Sequence, residues 1–430
     1  MMDNAGDNDT CIETLAQFFD IDQKKQRLRC IGHIINLIVK AILFGDGVSK
    51  LQRQLCGASD DDTFKIWNKK GPIGKLHNIC VYINRNDQRR EVFRSCQAET
   101  AQDDEIFYYQ LLVDGGIRWN SIYYMIKRAL KLRNAIDLYH LRWRKPSGKE
   151  NAYDLSQDKL TERDWTDLEH FFHLLRPLKK LTKKMQGNAN KTGREGSYGA
   201  VWEVLKSMDW MFVKLKEASD AIAANPTEYS AYYKTGVDTG YIKLVKYFNL
   251  TDQSPIYRAA IVLHPAHKYD YFEEKWEKHK DWITRMKIDV KNFYQSYANE
   301  AQHADSEPEH QQYEESEDEI DIWGRPSNAW RTKKRRKLQD ELERYTEPGV
   351  RREDERIKDP LEWWRHHESE YPVLSGMAFD LFSIPGMSSE CERVFSQTKK
   401  LITDERNLLG PLTVEADECQ KHWINGGLVQ

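Results

Sequence analysis

No Cys-x-x-Cys pair occurs in the sequence; its seven cysteines, at positions 11, 30, 56, 80, 96, 391 and 419, are odd in number and widely scattered. That pattern excludes a zinc ribbon made from two such pairs, argues against a disulfide scaffold, and suits free thiols in a reducing compartment. No apolar run approaches the roughly 20 residues needed to span a bilayer and no secretory signal opens the chain, so no membrane partner is expected. Strand-like alternation is scarce, and no segment recurs at a fixed period, which excludes a regular solenoid. The net charge of -3 gives no overall polarity. Charged partners have to be argued from local clusters.

What is present is length and apolar mass: 430 residues, 40% hydrophobic and 11% aromatic, enough for more than one core and a natural two to three domains. The run DNAGDNDT at 3–10 reads as a tight turn capped into a helix, because Asn and Asp side chains accept the first helical amides. Residues 11–19 carry apolar positions at helical spacing, and 26–30 can form one brief strand. CIGHIINLIVKAILFG, ending at Gly45, reads as a buried helix with a glycine stop, with His33, Asn36 and Lys40 on one stripe. From 46 to 298 the texture is helical, with long amphipathic stretches at 164–185 and 200–218, interrupted at Gly71-Pro72, Gly115-Gly116 and 193–199. Between Asp305 and Asp321 there are nine acidic residues and no Lys or Arg, followed by Lys333, Lys334, Arg335, Arg336 and Lys337. Such segments bury too little apolar area to offset an ordering cost of ~1 to 2 kcal/mol per residue, so a linker is expected over 299–358. The stretch from 359 onward is dense in Trp, Tyr, Leu and Phe.

Several positions are candidates for chemistry. Ser389 and Glu392 fit the S-x-x-E capping box, in which the glutamate reaches back to the cap amide. Cys30 and His33 have the spacing of a zinc half-site, but no second pair matches it; a core cysteine beside a helix-start histidine is the alternative. Trp119, close to Tyr123, Tyr124 and Met125, suits a core role. Lys75, Arg85, Arg89 and Arg90 read as a phosphate-facing surface or as a solvated helix face. The basic run 333–337 reads as a nuclear-localisation signal or a nonspecific phosphate contact, which places the protein in the nucleus.

The order of motifs resembles the hAT (hobo, Ac, Tam3) superfamily of cut-and-paste transposases, especially its fungal members. The matching runs are DNAGDNDT at 3–10, RCIGHIINLIVKAI at 29–42, GPIGKLHNI at 71–79, IRWNSIYYMIKRAL at 117–130, SPIYRAAIVLHP at 254–265, EWW at 362–364, YPVLSGMAFDLFSIP at 371–385 and SSECERVFS at 388–396. The resemblance implies a ribonuclease-H-like core split by a helical insertion, with two aspartates and one glutamate holding Mg²⁺ or Mn²⁺ for phosphodiester transfer. Asp3 matches the second aspartate and Glu392 the glutamate. The first aspartate, most sheet strands and an N-terminal zinc finger lie upstream of anything in this sequence. The resemblance also implies DNA-binding roles for Cys30 and His33, near the scissile DNA, and for Trp119 with Arg118 beside it, as a residue stacking on a flipped base worth ~1 to 3 kcal/mol per base. Lys75 is a DNA-binding candidate from its basic cluster.

The expected architecture is therefore mainly α, a helical insertion domain plus an incomplete ribonuclease-H-like α/β core. Its expected segments are a core remnant over 1–45, the insertion over 46–298, the linker over 299–358, and a dimerisation region carrying the glutamate helix over 359–430. In that region Trp363 or Trp364, with Phe382 as an alternative, is the expected anchor for self-association, some of this apolar surface packing instead on the chain's own insertion domain. The expected function is a truncated, catalytically inactive transposase derivative that dimerises and has DNA as a possible partner. No cofactor is expected in this chain as given, and Mg²⁺ or Mn²⁺ in a complete site. Two alternatives stand beside this: an active transposase whose N-terminal part is missing from the gene model, and a host-adopted interaction protein that uses only dimerisation.

Overall fold

A computed structural model describes residues 1–3, 6–19, 21–45, 47–56, 58–101, 108–113, 119–145, 153–187, 199–304, 341–347, 357, 359–388 and 410–425. Among these residues the structure is mainly α, and extended pairing amounts to two isolated bridges, Met2 with Arg29 and Ala200 with Pro385. The brief strand expected at 26–30 is thus a single bridge. The helix expected at 11–19 runs instead over Gly6–Leu15 and so takes in much of the Asp/Asn-rich run. No single described helix is long and apolar enough to cross a membrane.

The chain divides into two compact units. One comprises residues 32–183 and 207–249, the other 1–31, 184–206 and 250–430.

In the first unit the helix Ile31–Phe44 is apolar on nearly every side and stops at Gly45, whose φ of 70° is the left-handed conformation that glycine adopts without strain. Two glycines, one turn apart on the helix Ala231–Thr251, let the backbones close up. A Cβ at Gly236 would lie 2.4 Å from the Ile42 carbonyl oxygen, and one at Gly240 2.4 Å from Ile42 Cγ1. The Tyr232 hydroxyl reaches the carbonyls of Leu43 (2.5 Å) and Lys70 (3.0 Å). Helix Asp60–Asn68 begins on Ser59, whose hydroxyl accepts from the Asp62 amide. It places Trp67 edge-on to Phe44 and stacked on His77 at 4.0 Å.

Asp158 is fully buried. Its carboxylate accepts from the Tyr153 hydroxyl (2.5 Å), Asn68 (2.7 Å) and Asn78 (3.1 Å), and burial raises its pKa. Satisfying every lone pair is what makes such a group tolerable in a core.

In the second unit one carbonyl organises the aromatic core. Leu263, at the end of the helix Ile256–Val262, accepts from both the Trp364 indole (2.9 Å) and the Tyr345 hydroxyl (2.8 Å). The linker expected over 299–358 is entered by two helices, Lys280–Ala304 and Glu341–Thr346. The second is held by Glu341, a fully buried residue whose carboxylate accepts from the amides of Val373 and Leu374, both at 3.0 Å. Those amides are orphans at the start of the helix Pro372–Ser383, whose own preceding residue, Tyr371, makes no side-chain cap. The acidic and basic runs of the linker lie outside the described residues.

Candidate functional site

Four of the sequence motifs meet in the second unit. The Met2 amide donates to the Leu28 carbonyl (3.0 Å) and the Cys30 amide to the Met2 carbonyl (2.8 Å), which lays the Asp3 turn along 28–30. The Arg29 amide donates to the Tyr257 hydroxyl at 2.7 Å, and the Ser254 hydroxyl to the Lys25 carbonyl at 2.5 Å, bringing in SPIYRAAIVLHP. The Ile31 amide donates to the Gly386 carbonyl (3.0 Å), and the Ser388 amide to the Cys30 sulfur (3.3 Å), which bring in the start of SSECERVFS. Gly386 is required there, since a Cβ would fall 2.8 Å from the Met185 methyl and 3.0 Å from the Gly199 carbonyl.

Asp3 is half-buried and accepts from the Asn8 side chain at 2.5 Å. Asp9 pairs with Arg27, whose side chain is largely buried. Burial, with Arg29 adding to it, lowers the Arg27 pKa, while Asp3 opposes that shift. The site is therefore of mixed charge, with a guanidinium near the carboxylate that a metal would use. Among the described residues no three His, Cys, Asp or Glu side chains are grouped to hold a metal ion. The described residues do not by themselves fit a divalent ion.

Glu392, Arg118 and Lys333–Lys337 lie outside the described residues. His33 is half-buried on the helix Ile31–Phe44 and belongs to the first unit, whereas Cys30 belongs to the second. Trp119 is 3% exposed. Lys179 donates to the neighbouring Asn120 at 3.1 Å and stands 6.0 Å from the Trp119 ring centre. Lys75 is ion-paired to Asp164 at 2.9 Å. Arg85 sits over the Phe64 ring (5.1 Å) and Arg89 over the Tyr82 ring (3.6 Å), and Arg90 pairs with Asp87. Each of these cations has a local partner.

The aromatic anchors require a correction. Trp364 and Phe382 are 0% and 1% exposed in the chain, so neither side chain offers surface to a second copy. Their neighbours lie in this chain: Tyr345 of the helix Glu341–Thr346 packs on Trp364, whose indole donates to the Leu263 carbonyl. Trp363 remains half-buried, stacked on His367 at 3.7 Å. The sequence reading also missed a polar cluster signalled only by HPAH at 264–267. Here Lys206 lies 2.6 Å from His267 Nε2, and both His264 and His267 pack on Trp202. Burial brings Lys206 down to about 8 and His267 to about 4. An ammonium can only donate, so the charged lysine fixes the His267 proton on Nδ1.

Two comparisons bear on these segments. Residues 341–424 match the hAT family C-terminal dimerisation region, and residues 28–174 match the ZBED1 RNase-like helical domain. The chain is 23% identical over 428 residues to a putative transcriptional regulator, tpeD, of Talaromyces stipitatus, covering 96% of this chain and 44% of that protein. It is 23% identical over 445 residues to a putative AC transposase of Zea mays, covering 98% and 48% respectively. A shorter stretch of 90 residues is 40% identical to the zinc finger BED domain-containing protein RICESLEEPER 3 of Oryza sativa subsp. japonica, covering 20% of this chain and 12% of that protein. The chain thus spans about half the length of the two relatives that it matches throughout.

Proposed function

We propose that this chain, which belongs to the hAT superfamily of transposase-related proteins, acts in the nucleus as a DNA-binding protein that self-associates. The observation that carries the reading is the convergence around Cys30. Residues 2, 25–31, 254–257 and 386–388 are distant in sequence and come together through backbone–backbone bonds and through bonds to the Tyr257 hydroxyl, from the Ser254 hydroxyl and to the Cys30 sulfur. Among them are the Asp3 turn, the Cys30-x-x-His33 element and the start of the segment that leads to Glu392, which the family resemblance assigns to the neighbourhood of its reaction centre. The same resemblance gives this stretch two of three metal-holding carboxylates, Asp3 and Glu392. Two-metal phosphodiester transfer needs the full set to place both ions, so these 430 residues by themselves are proposed to hold DNA without cutting it.

A second reading has support of its own. The Talaromyces relative, matched along 96% of this chain, is named as a regulator of transcription, and a dimer that binds DNA without cutting it suits that role equally well.

The test is fluorescence anisotropy of the 430-residue chain with labelled duplex DNA across a salt series, followed by incubation with Mg²⁺ or Mn²⁺. Binding that weakens as salt rises, with no strand cleavage, is expected, since each neutralised phosphate releases counterions. No binding at low salt would sink the DNA reading. Metal-dependent cleavage that vanishes in Glu392→Gln would overturn the inactive reading while sparing DNA binding. Nuclear entry is assigned to Lys333–Lys337, and a fusion protein that accumulates in the nucleus unchanged after their replacement by alanine removes that assignment.

A further inference from the structure

The first unit holds a cavity of about 480 Å³ away from all of these motif contacts, between the helix Asp87–Thr100 and the extended segment 108–111. Its walls are fixed in advance. Gln97 clamps the Tyr109 backbone on both sides, donating to its carbonyl (3.0 Å) and accepting from its amide (2.9 Å). Asn84 donates to the Leu111 carbonyl and Arg128 to that of Gln110, each at 2.7 Å. The segment 108–111, which belongs to no helix, is thus held by side chains, and the cavity costs little to organise when filled.

The lining has two chemistries. Ile83, Phe93 and Leu111 are buried and make an apolar floor, while Tyr108, 54% exposed, stands in the lining with ring surface accessible for a ligand to stack on. Against this stand Arg90 and Arg94, one helical turn apart. Arg90 donates to the Asn84 carbonyl and pairs with Asp87; Arg94 pairs with Glu91 at 3.1 Å. Both carboxylates are the more exposed partners, with side chains 89% and 69% accessible, so solvent screens those pairs and the five-donor guanidiniums keep capacity for a further anion. Two more cations, Arg128 at 4.9 Å and Lys131 at 3.9 Å from the Tyr109 ring centre, add positive potential at the same wall.

We propose that this cavity binds a nucleoside monophosphate group: the base stacks on Tyr108 above the apolar floor, and the phosphate takes Arg90 and Arg94. Planar guanidiniums suit phosphate because they donate in pairs, and the volume falls within the ~300 to 1,000 Å³ of small-molecule sites. Either a free nucleotide or the 5′-phosphorylated end of a nucleic-acid strand carries this group. The inference does not depend on the function proposed for the Cys30 site.

The test is calorimetric titration of the full chain with AMP, adenosine and inorganic phosphate, and with a short single-stranded oligonucleotide bearing either a 5′-phosphate or a 5′-hydroxyl. AMP should bind measurably tighter than adenosine or phosphate alone. Arg94→Ala should weaken AMP by about tenfold or more, the loss of one charge-assisted contact, and leave adenosine unchanged. Tyr108→Ala should weaken AMP and adenosine together. Both side chains are exposed, and an unchanged circular dichroism spectrum confirms that the variants fold. If the oligonucleotide binds only with its 5′-phosphate, and through Arg94, the strand end is the source; if AMP alone binds, the source is the free nucleotide. Equal affinity for AMP and adenosine, or an Arg94→Ala variant that binds AMP as well as its parent, overturns the proposal.

Discussion

The Ser388 amide donates to the Cys30 sulfur at 3.3 Å, joining residues 358 positions apart. Cys30 is 2% exposed, so this sulfur is an acceptor shielded from water. Removing it leaves less satisfaction for a part-buried amide and a small void behind it. Cys30→Ala should lower stability by ~1 to 3 kcal/mol, the range for a buried group that loses its partner. Cys30→Ser, which keeps an acceptor, should cost less. Urea midpoints of the three proteins check the order. A native-like midpoint for the alanine variant would show that the contact does not organise the site.

Burial also predicts thiol chemistry. Cys11 and Cys56 are exposed while Cys30, Cys80 and Cys96 are buried, and burial raises the Cys96 pKa further. The thiolate is the nucleophile, so an alkylating reagent should label Cys11 and Cys56 first and the three buried thiols only after denaturation. Peptide mass spectrometry over a time course reads this directly. Early labelling of Cys30 would mean that its neighbourhood opens in the native state.

His267 and His264 give the second unit a defined acid sensitivity. The folded pKa of His267 is about 4 against an ordinary 6.5. Burial comes first among the causes and the Lys206 charge adds to it. That of His264 is also well below 6.5, for the same two kinds of reason. Between those values the unfolded chain binds protons that the folded chain does not, so stability rises with pH across the window and is lost as pH falls through it. Lys206, at about 8 against 10.5, acts in the same direction at higher pH: its buried charge is a penalty below about 8 that disappears by about 10.5. Denaturant midpoints from pH 4 to 7 should therefore climb in the parent and flatten in His267→Gln. Parallel curves for the two proteins would remove His267 as the cause.

Local signals were legible where one residue type decides the backbone or one spacing decides a face. The stop at Gly45, the long helix ending at Met185 and the break before Pro72 follow from residue chemistry, and the structure places them there. The meeting of Met2, Cys30, Tyr257 and Ser388 followed from no spacing; only the order of motifs gave a reason to expect the segments together. Glu341 was hidden for a different reason. Beside a charged linker it looks like one more solvated glutamate, and its role depends on amides 32 and 33 residues further on. Trp364 and Phe382 were read correctly as large apolar surface and misassigned as to what covers them, because periodicity reports that a side chain is buried and never by which neighbour.

Glu341 itself yields a prediction. Its carboxylate serves the Val373 and Leu374 amides in a fully buried position, where charge also complements the helix N-terminus. Glu341→Ala should cost ~2 to 3 kcal/mol by leaving those donors unpaired. Glu341→Gln, which keeps an oxygen acceptor but not the charge, should fall between. Thermal unfolding of the three proteins checks this. A glutamine variant as unstable as the alanine one would assign the effect to charge alone.

Self-association is the prediction on which the aromatic correction bears most. With Trp364 and Phe382 buried, the proposed self-association draws on other apolar surface in the 341–424 dimerisation match. Among the described residues of that match, the helix Pro411–Asn425 carries such surface: Leu412, Trp423 and Ile424 are 79%, 48% and 52% exposed. Leu412, Ala416, Cys419 and Trp423 fall at i, i+4, i+7 and i+11, the spacing of a seam between paired helices. An exposed tryptophan on such a seam is the kind of residue whose truncation costs ~2 kcal/mol or more at an interface, roughly a thirtyfold loss of affinity. Light scattering at micromolar concentration should give a dimer mass for the parent chain. Trp423→Ala should shift it toward monomer, and Leu412→Asp combined with Trp423→Asp should abolish it, because each would place a charge in an apolar seam. Trp364→Ala should behave otherwise, unfolding the second unit by ~3 to 5 kcal/mol of lost core packing before any change in association is read. If the double aspartate variant keeps the parent's dimer mass while Trp363→Ala loses it, the seam is not the interface and the half-buried Trp363 face is.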